Sequence, residues 1–148
     1  MDWENEALMA AQALGAAVLG GLVGSEREQG GRAAGIRTYA TVCLGACVFS
    51  LVSTHLPGIA DQGRISAQVV SGIGFIGAGV IMREQGRVIG LTTAATLWAT
   101  AAIGVAIAYK MYVLGVLTAV IIFGLLALNR FPGWSRLTSS KEQPPKQD

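Results

Sequence analysis

The chain has 148 residues, is 52% hydrophobic and 14% charged, and carries a formal charge of +2. A soluble domain usually carries about 25% charged residues and disorder requires low hydrophobicity, so the composition argues against both. So small a charge is also no footprint for nucleic acid, and none is expected as a partner.

Taken in chain order, the ionised residues separate five charge-free runs, at 7–25, 38–60, 65–82, 88–109 and 111–129. A membrane-spanning helix needs roughly 20 mainly apolar residues. Lipid offers the backbone no hydrogen bonds, so each run should be a continuous helix. A transmembrane β-barrel would need period-2 alternation, which 113–126 does not show. The first run is not a secretory signal peptide, because an acidic segment with Asp2, Glu4 and Glu6 precedes it where a basic one is required. The second should stop near His55, since Pro57-Gly58 follows. The fourth and fifth are separated by Lys110 alone. One helix through both would be about twice as long as the hydrocarbon core is thick, so the chain must turn near Tyr109-Lys110-Met111. Tyr109 and Tyr112 flank this turn as interfacial aromatics should.

The expected architecture is therefore an all-α membrane protein, a bundle of five transmembrane helices with spans at about 7–25, 38–56, 65–82, 89–108 and 111–129. Residues 1–130 form the membrane domain. Residues 131–148 form a flexible cytoplasmic tail, with Phe131 and Trp134 at its interfacial start. Arg27, Arg32 and Arg37 fall in the first loop, Arg83 and Arg87 in the third, and Arg130, Arg136, Lys141 and Lys146 after the last helix. Arg64 and Lys110 fall on the other side. The positive-inside rule then puts the N-terminus outside and the C-terminus in the cytoplasm.

Gly72, Gly74 and Gly77 spell G-x-G-x-x-G, but no strand precedes them, so a dinucleotide site is not expected. Together with Gly79 they read as helix-packing positions, small on two sides, which places the third helix centrally in the bundle. Gln68 lies on the Gly72/Gly79 stripe, either as an interhelical hydrogen-bonding residue or as a ligand contact. On the fourth helix Thr92, Thr96 and Thr100 form one stripe with Thr93 beside it, and packing with hydroxyls bonded back to their own helix is favoured over a conduction path. Trp98 is mid-span, where its indole N–H calls for an acceptor on another helix. Cys43 and Cys47 read as small packing residues, and lone His55 as structural. No catalytic constellation is present, so no enzyme activity is expected. No Asp, Glu, Lys or Arg lies inside a run, which weighs against a carboxylate-based cation transporter. The first loop mixes its arginines with Glu26 and Glu28, which topology does not require. Beyond the second helix, Asp61 and Arg64 stand at the start of the third, with Asp61 placed to complement its dipole.

Three stretches carry a family resemblance. Gly24-Ser25-Glu26-Arg27-Glu28 with Arg32-Ala33-Ala34-Gly35-Ile36-Arg37-Thr38 resembles the first loop of the MgtC/SapB family. The run Arg64 to Gly79 resembles its third helix, and Gly90 to Trp98 with Thr100 to Gly104 its fourth. The resemblance covers roughly residues 15–108 and implies a bacterial inner-membrane protein with five spans. It further implies a link to magnesium limitation and virulence, through restraint of the membrane ATP synthase rather than magnesium transport. The motif positions it carries over are Glu26, Arg27, Arg37, Asp61, Arg64, Gln68, Thr92, Thr93 and Trp98. Many members add a C-terminal ACT-like domain; a short tail is expected here instead, as in the shorter SapB-like members the chain resembles, and Gln62 stands where the family usually has proline. The expected function is non-enzymatic regulation of a membrane partner such as the ATP synthase. No cofactor is expected, and the chain should sit in the lipid bilayer as a homo-oligomer. The alternative is a small-solute or ion transporter lined by the third and fourth helices.

Overall fold

The computed structural model describes residues 3–56, 63–84 and 86–128. Asp61, Gln62 and the predicted tail, 131–148, lie outside these residues. Five helices account for most of the chain: α1 (Trp3–Gln29), α2 (Ile36–His55), α3 (Arg64–Val80), α4 (Leu91–Ala108) and α5 (Tyr112–Ala127). A hairpin of β1 (Met82–Glu84) and β2 (Arg87–Ile89) joins α3 to α4. The four prolines, at 57, 132, 144 and 145, all fall outside the helix bounds. No ring therefore interrupts a backbone ladder.

α1, α2 and α4 are long and apolar enough to cross a membrane. α3 and α5 are apolar but shorter, at 17 and 16 residues, or about 24–26 Å at 1.5 Å per residue. The outer surface is correspondingly apolar, with Phe75 86% and Val113 83% exposed. Side chains of that kind in such number need lipid or protein against them. The chain is a membrane protein of packed helices.

The helix ends explain the boundaries. α1 runs beyond its predicted span at both ends, so Glu26, Arg27 and Glu28 sit in its last turn rather than in the loop. It closes in a Schellman arrangement. The N–H of Arg32 bonds to the Arg27 carbonyl at 3.1 Å and that of Gly31 to the Glu28 carbonyl at 3.0 Å, with Gly31 at φ 63°. Glu28 then reaches across, and its Oε2 accepts the Ile36 N–H at 2.9 Å. The carboxylate that topology does not require thus caps the N-terminus of α2. Leu56 is extended after the last turn of α2, as the following proline dictates. The expected turn between α4 and α5 is present. It repeats the Schellman pattern around Lys110, with Lys110 N–H to Ile107 O at 3.0 Å and Met111 N–H to Ala106 O at 2.9 Å. Lys110 takes the left-handed conformation itself, at φ 61°.

The β-hairpin was not foreseen. Residues 82–89 were divided between two helices and a loop. Instead Met82 pairs with Ile89, Arg83 with Val88 and Glu84 with Arg87. Gly86 supplies the turn at φ 82° and Gly90 returns the chain to α4 at φ 89°.

The expectation that α3 is central is corrected within the chain. α4 occupies that place, touching α1, α2, α3 and α5. α3 packs chiefly on α4 and α2 and buries Ser66, Ile73 and Gly77. Gly77 meets Ala94 of α4, whereas a Cβ on Gly72, Gly74 or Gly79 would meet nothing within 4 Å. The close approaches lie elsewhere. A Cβ on Gly24 would fall 2.8 Å from Ile36 Cα, and one on Gly20 would fall 2.6 Å from Cys43 Cβ. A Cβ on Gly104 would strike the Cys43 carbonyl oxygen. These glycines let α1 and α4 press against α2. The core between them contains Ala16, Val23, Tyr39, Cys43, Leu97 and Ile103, all at most 1% exposed. Cys43 and Cys47 are free, buried thiols within it.

Candidate functional site

Buried polar groups gather at the end where α1 finishes and α4 starts. Arg27 and Glu26 are each 7% exposed, and Thr93 is 5% exposed. Arg27 projects from the last turn of α1 and donates through Nη2 to Thr93 Oγ1 at 2.6 Å. Its Nε is enclosed without a partner. A guanidinium carries five N–H donors, and the one on Nε is left unsatisfied. A cation held in such a place is costly unless it is compensated.

One turn further along α4, Tyr39 of α2 meets Thr96. The two oxygens are 2.5 Å apart. Thr96 returns its own proton to the Thr92 carbonyl at 2.8 Å, so the tyrosine donates. Thr100 bonds back to the Thr96 carbonyl, also at 2.8 Å. Thr96 and Thr100 of the threonine stripe therefore bond to their own helix. Two of its neighbours, Arg27 and Tyr39, tie α1 and α2 to α4.

A cavity of about 350 Å³ opens beside Arg27. Arg32, Thr92, Thr93 and Gly90 line it on one side, and leucines at 125, 126 and 128 on the other. Arg32 and Thr92 are exposed, so this is its open end. Gly90 offers no side chain to cap α4. A Cβ there would collide with the Val80 carbonyl oxygen, and φ 89° already favours glycine. Leu91, Thr92 and Thr93 thus begin the helix with N–H groups that no earlier turn accepts.

The structure gathers some of the sequence-derived positions and scatters others. Arg27, Thr92 and Thr93 meet at the cavity, with Glu26 buried beside Arg27 in the same helical turn. Arg37 is exposed on the first turn of α2, and Arg64 is exposed as the first residue of α3. Gln68 lies apart in an apolar groove of about 500 Å³ between α2 and α3, which Phe49, Gly72 and Ile76 also line. Trp98 is 55% exposed in a furrow with Val69, Val70 and Leu114, so it is a surface residue of the bundle rather than a buried donor. Asp61 lies outside the described residues. Among the described residues no cluster of potential metal ligands occurs.

Several contributors escaped the reading of the sequence. Arg32 was counted for topology alone, and Tyr39 and Gly90 were not singled out as site residues. Gln12 was missed as well. It is buried in α1 and donates through Nε2 to the Ile107 carbonyl at 2.7 Å, satisfying the end of α4 at the opposite pole. Ser66 of α3 meets the Tyr109 hydroxyl at 3.1 Å at the same pole. A polar residue in an otherwise apolar run, such as Gln12, was the available signal. The spacing of Gly20 and Gly24 four residues apart was the signal for the α1–α2 contact.

Known proteins are similar to the chain in sequence. The chain is 50% identical over 105 residues to Protein MgtC of Brucella abortus, covering 71% of this chain and 44% of that protein. It is 59% identical over 93 residues to Protein MgtC of Salmonella typhimurium, covering 62% and 39%. The chain thus spans less than half the length of these curated relatives. No solved structure matches it significantly. The family model described as MgtC family matches residues 14–132, from the middle of α1 past the end of α5, and the chain belongs to that family.

Proposed function

We propose that this chain is a non-enzymatic, multi-pass protein of the bacterial inner membrane that supports growth under magnesium limitation by engaging a membrane partner. In this reading all five helices cross the bilayer, the N-terminus is outside, and the Arg27 end faces the cytoplasm. The observation that carries it is the buried Arg27–Thr93 tie. It fixes a polar, basic surface at one pole of an apolar bundle, in a protein whose relatives are named MgtC. Arg32 and Arg37 lie exposed near it, as charged groups available to a partner or to anionic lipid. The ATP synthase is the partner that the resemblance suggests. The open glycine face of α3 supports a homo-oligomer, since small residues there would let a second copy approach closely. Regulation is favoured over transport because the hydroxyls of Thr96 and Thr100 are already bonded back to their own helix.

The test is growth of a deletion strain in limiting magnesium, complemented with this chain. Wild type is expected to restore growth, and Arg37→Gln to weaken both rescue and co-purification of a membrane complex. Full growth of the deletion strain without the gene would remove the magnesium reading.

A further inference from the structure

We propose that the cavity between the ends of α1 and α5 and the start of α4 binds a phosphate-bearing anion. Two arginines line it and, among its described lining residues, no carboxylate does. One of those arginines, Arg27, is more than nine-tenths buried and keeps an enclosed Nε without a partner. Thr93 accepts from Arg27 through Oγ1 and so keeps its own proton for a ligand oxygen. Thr92 adds a second, exposed hydroxyl at the open end. The start of α4 contributes backbone N–H groups that Gly90 leaves uncapped and the positive end of the helix dipole. Guanidinium, hydroxyl and helix N-terminus together match tetrahedral oxyanions rather than cations or neutral solutes.

The opposite wall is leucine from α5. That wall fits the glycerol and acyl portion of an anionic phospholipid, while free phosphate would use the polar wall alone. Both sources share the phosphate chemistry. The inference names a ligand for the same site on which the proposed function rests. It is tested on the isolated protein, so it fails or survives independently of the growth assay.

Full-length protein in neutral detergent is titrated with inorganic phosphate by calorimetry. In parallel it is reconstituted in phosphatidylcholine nanodiscs with and without phosphatidylglycerol, and lipid retention is read by native mass spectrometry. Saturable binding in one arm is expected, and identifies the source. Arg32→Gln should weaken it by about tenfold or more. Thr92→Val should weaken it less, and Arg64→Gln, exposed at the start of α3 and outside the cavity, not at all. Arg32 and Thr92 are exposed, so both variants should keep the fold. Binding in neither arm, or equal loss in Arg32→Gln and Arg64→Gln, overturns the proposal.

Discussion

Arg27 is the residue on which local chemistry and global packing converge. Its aliphatic stem passes from the last turn of α1 toward α4, and its head group rests on one threonine hydroxyl. Removing that acceptor leaves a second guanidinium nitrogen unsatisfied beside the enclosed Nε. Thr93→Val is therefore expected to destabilise the protein by about 1–3 kcal/mol. Thr93→Ser should restore most of the loss, because the oxygen returns. Thermal unfolding in detergent checks both, and a wild-type melting temperature in Thr93→Val would refute the assignment. Arg27 and Thr93 were both legible in the sequence as motif positions. Their pairing was not, because a 66-residue separation carries no local pattern. Glu28 shows the converse. Its presence stood out as unexplained, and its role as the cap of α2 follows from the loop geometry alone.

At the scale of elements, glycine has two distinct uses in this chain. Gly20, Gly24 and Gly104 remove bulk where backbones meet, whereas Gly72, Gly74 and Gly79 leave open surface on α3. Leucine at position 104 would press into the Cys43 carbonyl and the Cys47 amide nitrogen, the latter 2.9 Å from a Cβ. Gly104→Leu should thus cost at least about 1–3 kcal/mol. Gly74→Leu should change the stability of the isolated chain by no more than about 0.5 kcal/mol. Chemical unfolding of the two variants side by side separates them, and equal destabilisation would show that α3 is packed on both faces. Charge spacing located all five helices, because ionised residues avoid the apolar runs. It misplaced the centre of the bundle, because composition marks a face as small without saying whether anything lies against it. The β-hairpin escaped for a related reason. Its six residues are too few for a period to emerge, and its turn depends on the φ of a single glycine.

For the whole molecule, two groups of polar side chains stand at opposite poles of the described bundle. Arg27, Thr93 and the Glu28 cap stand at one, and Gln12, Ser66 and Tyr109 at the other. Core packing by Val23, Tyr39, Leu97 and Ile103 fills the space between. This sorting matches a slab of lipid bounded by water on each side. Reporter fusions after residue 128 are expected to be active as cytoplasmic fusions, and fusions before residue 3 as external ones. The opposite pattern would invert the proposed orientation, and both ends on one side would remove one span.

Arg27 also has a history within each molecule. It is synthesised 66 residues ahead of Thr93, an interval of roughly 3–13 s at about 5–20 residues per second. During that time α1 and α2 can already close on each other through Gly20 and Gly24. On the proposed topology the guanidinium, still hydrated, would anchor the end of α1 on its own side of the bilayer while the hairpin inserts. The arrival of α4 then withdraws it from water. On that topology one side chain would act first as a topology signal for the nascent chain, and it is afterwards an internal tie in the finished bundle.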